Sequence, residues 1–214
     1  MEAACAHAAG DQRWEDVLLP TGLEPGLHVE PEGRLFLADD NGYRVYDTVT
    51  EDGFTLDVSG YYTSGNAELD GYVTGILAGF LAEEPEADRE RLLRMSYDYC
   101  CDSFTYLRKN AYYFGQTGWE VDDAVVMFST LRGNCYNYAA AFWSLARGLG
   151  YDAQVISGTI TQTNQPHGWV KMIHDGEKYY YDPEMEMPYR IKNNFSKDMF
   201  RMPRSYYSGW SYRE

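Results

Sequence analysis

The feature that most constrains the fold is an Asp-Gly pair, Asp175-Gly176, which separates two short runs of strand-forming residues. An Asp-Gly dipeptide in this setting is a strong signal for a β-hairpin with a two-residue turn. With such a turn, residue 174 pairs with residue 177, and Trp169 lies opposite Asp182. The sequence therefore predicts an antiparallel hairpin of defined register, which a bulged three-residue loop would shift.

This register places several polar side chains on one face at one end of the hairpin. Because side chains alternate along a strand, one face is expected to carry His167, Trp169, Tyr180, Asp182 and Glu184. His167 and Asp182 are then diagonal neighbours within hydrogen-bonding reach. Glu184, opposite His167, is the rival carboxylate. Pro183 is expected to end the ladder because it has no N–H to donate.

The segment after Gly133-Asn134 has the pattern of a buried helix with a cysteine in its first turn. Gly133-Asn134 is a turn and cap signal, and the apolar positions that share one helix face are Tyr138, Phe142, Leu145 and Leu149. Unpaired N–H groups and the helix dipole would favour a thiolate at Cys135. Taken alone, this cysteine can equally be a small residue that fills space.

Cys135, His167 and Asp182 together are the parts of a Cys–His–Asp triad. In a triad of this kind the imidazole takes the thiol proton, and the carboxylate orients the ring and stabilises the imidazolium. Each residue has a simpler explanation by itself, since a lone His is often structural and an Asp before Pro is commonly a turn residue. Their combination in this order favours nucleophilic catalysis.

This segment resembles the core of the transglutaminase-like superfamily. The motifs that carry the resemblance are Gly-x-Cys (133–135), Leu-Ala-Arg-x-x-Gly (145–150), His-x-Trp-Val (167–170) and Tyr-x-x-Asp-Pro (179–183), within a match from Val121 to Pro183. Papain-like enzymes place the His about 130–150 residues after the Cys, much farther than here. An NlpC-type peptidase shares the Cys-then-His order but is not expected to show the Asp-Pro ending.

The resemblance implies an α+β fold with a transglutaminase/papain-like core. In it the Cys-bearing helix packs on a small antiparallel β-sheet, after helices and a small β-rich N-terminal part. The chain is similar to bacterial transglutaminase-like domains in which a stretch like Thr63–Val73 precedes the core helices. It does not resemble the animal enzymes, because it has no EF-hand-like acidic loop and no room for flanking immunoglobulin-like domains. The superfamily also includes proteases and other amide hydrolases.

The expected function is that of a cysteine enzyme acting on amide bonds of peptide or protein substrates. Cys135 would form a thioester, which water or an amine resolves. The Cys135 backbone N–H is the first candidate oxyanion donor, and Gln165 and Asn164 are candidates for the second. Asn134 is a further substrate-binding or oxyanion candidate. Trp169 is expected to pack beside the triad, and Glu184 is a further candidate substrate-binding residue. Neither a metal nor a cofactor is expected.

The alternative is a catalytically inert transglutaminase-like module that binds a cell-surface peptide or glycan. The 20 tyrosines favour it, since Tyr and Trp platforms suit sugars and peptides. The intact triad favours the enzyme.

The composition narrows the range of possible binding partners. A net charge of −15 disfavours nucleic acid and anionic membranes. The longest mostly apolar run, Tyr72–Ala82, is too short for a bilayer span, which needs roughly 20 residues. The expected partner is a peptide or protein substrate, with cell-wall-associated ones included. The family resemblance favours a secreted or cell-envelope location, with the cytoplasm as the alternative. No signal peptide is visible, and Ala3-Ala4-Cys5 is either a lipoprotein remnant or part of a loose tail.

The domain prediction has three parts. Residues 1–30 form an extended arm, residues 31–64 a β-rich segment, and residues 65–214 a transglutaminase-like domain with its core at 121–183. An aromatic and basic C-terminal tail is expected to dock on the acidic body, with a substrate groove as the alternative. Helices are expected from Asn66 to about Glu83, over 87–110 and over 121–131, and Cys100 and Cys101 as buried thiols.

Overall fold

The computed structural model describes residues 22–51, 53–160, 164–174, 176–194, 197–209 and 211–214. The strands are β1 (Gly26–Val29), β2 (Leu35–Ala38), β3 (Thr48–Val49), β4 (Thr55–Leu56), β5 (Tyr62–Thr63), β6 (Thr105–Tyr106), β7 (Arg132–Gly133), β8 (Ala153–Ile160), β9 (Gln165–His174), β10 (Glu177–Tyr181) and β11 (Met202–Pro203). The helices are α1 (Ala67–Glu83), α2 (Arg89–Ser103), α3 (Glu120–Thr130), α4 (Cys135–Gly148), α5 (Pro183–Ile191) and α6 (Arg204–Gly209). The expected α+β fold is confirmed.

Small antiparallel ladders precede the helices. Strand β1 pairs with β2, and β3, β4 and β5 form a three-stranded sheet. Strand β1 falls within the predicted N-terminal arm, whose first 21 residues, Cys5 among them, lie outside the described part of the chain. The division of the chain into domains stays a prediction.

Helices α1 and α2 begin at side-chain caps. Asn66 accepts hydrogen bonds from the backbone N–H groups of Glu68 and Leu69, as its cap position predicted, and Asp88 accepts one from Arg91. The predicted end of the second helix near residue 110 was wrong, because α2 ends at Ser103. Thr105 and Tyr106 leave the helix to pair in parallel with β7, a long-range partner that helical periodicity cannot reveal.

The buried helix α4 lies at the centre of the molecule. Its predicted apolar face is entirely inaccessible to solvent, and it packs on the sheet and against α1, α2, α3 and α5. Cys100 and Cys101 of α2 are buried free thiols in the same core, as predicted. Burial raises the pKa of both thiols above the ordinary range, so these two cysteines are unreactive packing residues.

The main sheet has the order β11-β10-β9-β8 and is antiparallel throughout. Glu177 pairs with His174, and the ladder continues to the pair of Tyr181 and Val170. This is the register that the Asp-Gly turn predicted. The ladder ends there because Pro183 starts α5.

The end of the described chain docks on the outer face of this sheet. Met199, Met202, Tyr207 and Tyr212 form a second buried cluster with Ile160, Trp169 and Tyr180. The expected docking of the aromatic tail is therefore observed. It brings residues far along the sequence next to the strands that carry His167 and Asp182.

Candidate active site

Cys135 is the first residue of α4 and is held by a capping box. The side-chain oxygen of Asn134 accepts hydrogen bonds from the backbone N–H groups of Tyr136 and Asn137, and the Asn137 side chain accepts one from the backbone of Asn134. The backbone N–H of Cys135 has no acceptor among the described residues. A buried thiol is thus placed at the positive end of a helix with one backbone donor left over.

The strand that carries His167 comes unusually close to this helix start. A Cβ added at Gly168 would lie 2.5 Å from Cδ1 of Tyr136 and 3.1 Å from its Cα. Only glycine allows such an approach of two backbones. Gly168 therefore allows β9 to lie close enough to α4 for the His167 imidazole to reach the first turn of that helix.

Asp182 binds His167 from the end of the neighbouring strand. Nε2 of His167 lies 2.7 Å from Oδ2 of Asp182, and the carboxylate is entirely buried. Asp182 is also the N-cap of α5, where Oδ1 accepts a hydrogen bond from the backbone N–H of Met185 at 3.1 Å. The cap fixes the carboxylate while its other oxygen faces the imidazole.

The second ring nitrogen of His167 is left for Cys135. The Cys135 side chain acts electrostatically on the imidazole, and Nε2 is occupied by Asp182. Burial by itself lowers the pKa of His167, because it disfavours the imidazolium. The charge of Asp182 and the Cys135 side chain act in the opposite direction and hold the pKa of His167 well above its usual value. The site therefore favours the imidazolium form of His167, the form that pairs with a thiolate.

Glu184 lies on the same side of the imidazole as Cys135. One carboxylate oxygen is 3.9 Å from Nδ1 of His167, which makes Glu184 a neighbour of the triad rather than the partner of Nε2. Burial raises the pKa of Glu184 to about 7. The positive charge of His167 opposes this rise, and the negative charge of Asp182 reinforces it. The carboxylate thus changes its charge near neutral pH.

The remaining predicted site residues have distinct surroundings. Trp169 is fully buried and stacks on His167, with ring centroids 5.9 Å apart and planes inclined at 23°. The Asn134 side chain is engaged as a helix cap, and its Nδ2 donates to the carbonyl of Asn110 at 3.3 Å. Gln165 is exposed at the beginning of β9. Asn164 is also exposed, but its Oδ1 accepts a hydrogen bond from Arg213 at 2.9 Å. Of Asn134, Asn164 and Gln165, Gln165 is therefore the one with a freely accessible side chain.

A cleft of about 740 Å³ opens over Cys135 and His167. Its lining also includes Asn134, Gln165, Pro166, Glu184 and Met185. The exposed stretch 106–111 forms a wall of the cleft and contributes Tyr106, Arg108 and Lys109. The sequence did not predict this wall, because the stretch was expected to be the end of a helix.

His167, Asp182 and Glu184 are also the residues that could hold a metal ion. Their ligand atoms lie within 4.8 Å of one another. The lone pairs of Asp182 are used, however, by N–H and O–H donors: His167 and Tyr212 on Oδ2, and Met185 on Oδ1. A donor O–H directed at Oδ2 fits a hydrogen-bonded carboxylate better than a cation ligand.

The fold and the site together define an α+β protein in which a helix-start thiol, a strand imidazole and a buried carboxylate meet at a cleft. A family model described as the transglutaminase-like superfamily matches residues 80–183, the segment that contains all three residues. This segment, just under half of the chain, is therefore similar to the transglutaminase-like superfamily.

Solved structures similar to the chain include a presumed cysteine protease from Cytophaga hutchinsonii. It has 14% sequence identity and a TM-score of 0.37, with 56% of this chain and 43% of that chain covered. Another is the periplasmic domain of TgpA from Pseudomonas aeruginosa, bound to ethylmercury, with 22% identity and a TM-score of 0.37. That match covers 60% of this chain and 49% of the other. The chain thus spans less than half the length of these solved chains, and no curated protein matches it.

Among the described residues, no helix combines the length and apolarity that a bilayer crossing requires.

Proposed function

We propose that the protein is a cysteine enzyme that cleaves amide bonds of peptide or protein substrates through a thioester on Cys135. The observation that carries the proposal is that Cys135 and His167 line an open cleft, while the buried carboxylate of Asp182 lies 2.7 Å from Nε2 of His167. The similarity of residues 80–183 to the transglutaminase-like superfamily supports the same chemistry.

The first half-reaction transfers an acyl group to sulfur. The Cys135 thiolate attacks the amide carbonyl carbon, and the carbon–sulfur bond forms while the carbonyl oxygen takes the negative charge. The free N–H of Cys135 is positioned to donate to that oxygen, with Gln165 as the candidate second donor. The imidazolium of His167 then gives its proton to the nitrogen of the leaving amine, and the carbon–nitrogen bond breaks.

The second half-reaction releases the acyl group. Neutral His167 takes a proton from water or from an incoming amine, whose oxygen or nitrogen attacks the thioester carbon. The carbon–sulfur bond breaks, and the thiolate and the imidazolium are restored. Water gives hydrolysis and an amine gives a new amide. The cleft is open to solvent at both Gln165 and Lys109, so either nucleophile can enter.

The proposed partner is an exposed peptide segment of a protein, with cell-envelope proteins as the expected source. The solved relative that is a periplasmic domain is in keeping with a secreted or envelope location for this chain.

The test is to trap the acyl-enzyme. The protein is mixed with glutamine-containing peptides and peptide anilides, quenched in acid and analysed by peptide mass spectrometry, with and without a primary amine. A mass increase on the peptide that contains Cys135, lost in Cys135→Ser, is the expected result. Product formed in water alone identifies a hydrolase, and incorporation of the amine identifies an acyltransferase. Binding of the peptides without any acyl-enzyme or product would instead support the inert module.

A further inference from the structure

We propose that Tyr212 is a positioning residue of this active site, whose hydroxyl group holds Oδ2 of Asp182 and so fixes the carboxylate that orients His167. The inference rests on the proposed function and extends the triad by a fourth residue. Tyr212 lies well beyond residues 80–183, the segment that the family model matches.

The contact is direct and buried. The Tyr212 hydroxyl donates to Oδ2 of Asp182 at 2.5 Å, the same oxygen that lies 2.7 Å from Nε2 of His167. Because the Asp182 side chain is entirely inaccessible to solvent, protein donors must satisfy its charge. Tyr212 therefore supplies one of the three described donors, beside His167 and the N–H of Met185.

The ring of Tyr212 is itself immobilised by aromatic neighbours. Its centroid lies 5.0 Å from that of Trp169 in an edge-on contact and 4.9 Å from that of Tyr207 in a stacked one. The ring also contacts His167, with centroids 6.2 Å apart. Packing on three sides leaves the hydroxyl one direction to point in, toward Asp182.

The backbone on both sides of the ring is tied to the sheet. Arg213 and Thr159 exchange backbone hydrogen bonds at 2.8 and 3.0 Å, which adds residue 213 to the free edge of β8. Glu214 accepts hydrogen bonds from Lys171 at 2.9 Å and from Tyr180 at 3.2 Å. Residues 211–214, which we name the strap, thus span β8, β9 and β10 directly over the triad.

A glycine makes room for the strap. A Cβ added at Gly158 would lie 2.2 Å from the carbonyl oxygen of Arg213 and 2.4 Å from Cη2 of Trp169. Any other residue would push the strap off the sheet. Gly158 of β8 therefore allows the strap to approach the sheet closely, and this evidence is independent of the hydrogen bond that Tyr212 makes.

The hydroxyl has a definite electrostatic effect on the site. The titratable side chains that face His167 are Cys135 from α4, Asp182 and Glu184 at the start of α5, Tyr106 from β6 and Tyr212 from the strap. Burial and the charge of Asp182 raise the pKa of Tyr212 well above its usual value, so it acts as a neutral donor. It shares Oδ2 with the imidazolium. Without it, His167 would be the only donor to that oxygen and would bind Asp182 more strongly.

The test is a histidine-labelled NMR titration of the full chain. Tyr212→Phe keeps the ring and removes only the hydroxyl. We expect the pKa of His167 to rise by about one pH unit in this variant, equivalent to about 1.4 kcal/mol. The matched control is Tyr207→Phe, which deletes a buried hydroxyl of the same cluster that has no hydrogen-bond partner in the described chain, and it should leave His167 at the wild-type value.

A second variant guards against local misfolding. Gly158→Ala keeps the hydroxyl but displaces the strap, and it should raise the pKa of His167 in the same direction. The inference is overturned if Tyr212→Phe and Tyr207→Phe give the same His167 titration, even if both lose stability. A normal His167 pKa in the wild-type protein, with an unreactive Cys135, would instead contradict the proposed function itself.

Discussion

Asp182 performs two tasks with its two oxygens. Oδ1 caps α5 through the N–H of Met185, and Oδ2 receives His167 and Tyr212. A carboxylate in the cap position is thereby aligned with the imidazole by the helix that it starts. A substitution that keeps the cap and removes the charge separates the two tasks.

Asp182→Asn is that substitution. Asn caps a helix about as well as Asp, so the helix cap should be kept. The free energy of unfolding should fall only because the buried charge interaction with His167 is lost. The rate of acyl transfer should fall by about 10³–10⁴-fold, because the amide cannot hold the imidazolium. Steady-state kinetics and urea denaturation measure the two effects. Asp88→Asn at the start of α2 is the control, and a wild-type rate in Asp182→Asn would contradict the assignment.

Glu184 makes the stability of the protein depend on pH. Its pKa is raised from 4.5 to about 7 on folding, so the folded state holds a proton that the unfolded state has released. Stability is thus greatest below the unfolded pKa and falls as the pH rises toward the folded one. The loss levels off above about pH 7, at about 3 kcal/mol.

Glu184→Gln should remove this loss. The variant is expected to be more stable than the wild type at pH 8 by up to about 3 kcal/mol, and by much less at pH 5. Urea denaturation at the two pH values measures the difference. Glu83→Gln, an exposed carboxylate at the end of α1, should show no such pH dependence. Equal stabilisation by Glu184→Gln at pH 5 and pH 8 would refute the burial argument.

At the scale of the elements, the hairpin and α4 could be predicted because their signals are local. The Asp-Gly turn sets the pairing of residue 174 with residue 177, and the cap at Asn134 starts the helix at Cys135. The end of α2 could not be predicted in the same way. After the helix, the backbone N–H groups of Thr105 and Leu107 donate to the carbonyls of Leu131 and Gly133, far along the chain.

The cap at Asn134 should matter for reactivity as well as for stability. Asn134→Ala is expected to cost about 1 kcal/mol of unfolding free energy. It should also slow alkylation of Cys135, because the first turn that holds the thiol loses its anchor. Asn66→Ala removes an equivalent cap from α1 and is the matched control, with a similar loss of stability and no effect on Cys135. Equal alkylation rates in the two variants would show that the cap serves the fold alone.

Across the whole molecule, the part of the site that the sequence did not predict comes from long-range packing. Tyr212 was visible only as one of several aromatic residues near the end of the chain, and nothing local directs its hydroxyl at Asp182. The cleft wall at 106–111 follows from the parallel pairing of β6 and β7. Sequence patterns identify the chemistry of Cys135, His167 and Asp182, whereas the neighbours that tune it depend on tertiary contacts.

Glu186 is a buried carboxylate that connects the C-terminal part of the chain to the helical core. Its carboxylate accepts hydrogen bonds from the backbone N–H of Met199 at 2.6 Å, from the hydroxyl of Tyr97 at 2.8 Å and from Nε of Arg190 at 2.7 Å. Glu186→Ala should lower the free energy of unfolding by about 3–5 kcal/mol, because it leaves buried partners unpaired. Glu84→Ala breaks the more exposed pair with Arg91 and should cost much less stability, because solvent screens an exposed ion pair. Urea denaturation of both variants measures the contrast, and equal losses would contradict it.

The pH dependence of Cys135 alkylation by iodoacetamide shows whether Cys135 and His167 form a thiolate–imidazolium pair. Peptide mass spectrometry reads each cysteine separately, so the buried thiols of Cys100 and Cys101 serve as internal controls. We predict rapid labelling of Cys135 well below pH 8.5, the ordinary thiol pKa, and loss of that labelling in His167→Ala. Labelling no faster than that of a free thiol, unchanged in His167→Ala, would contradict it.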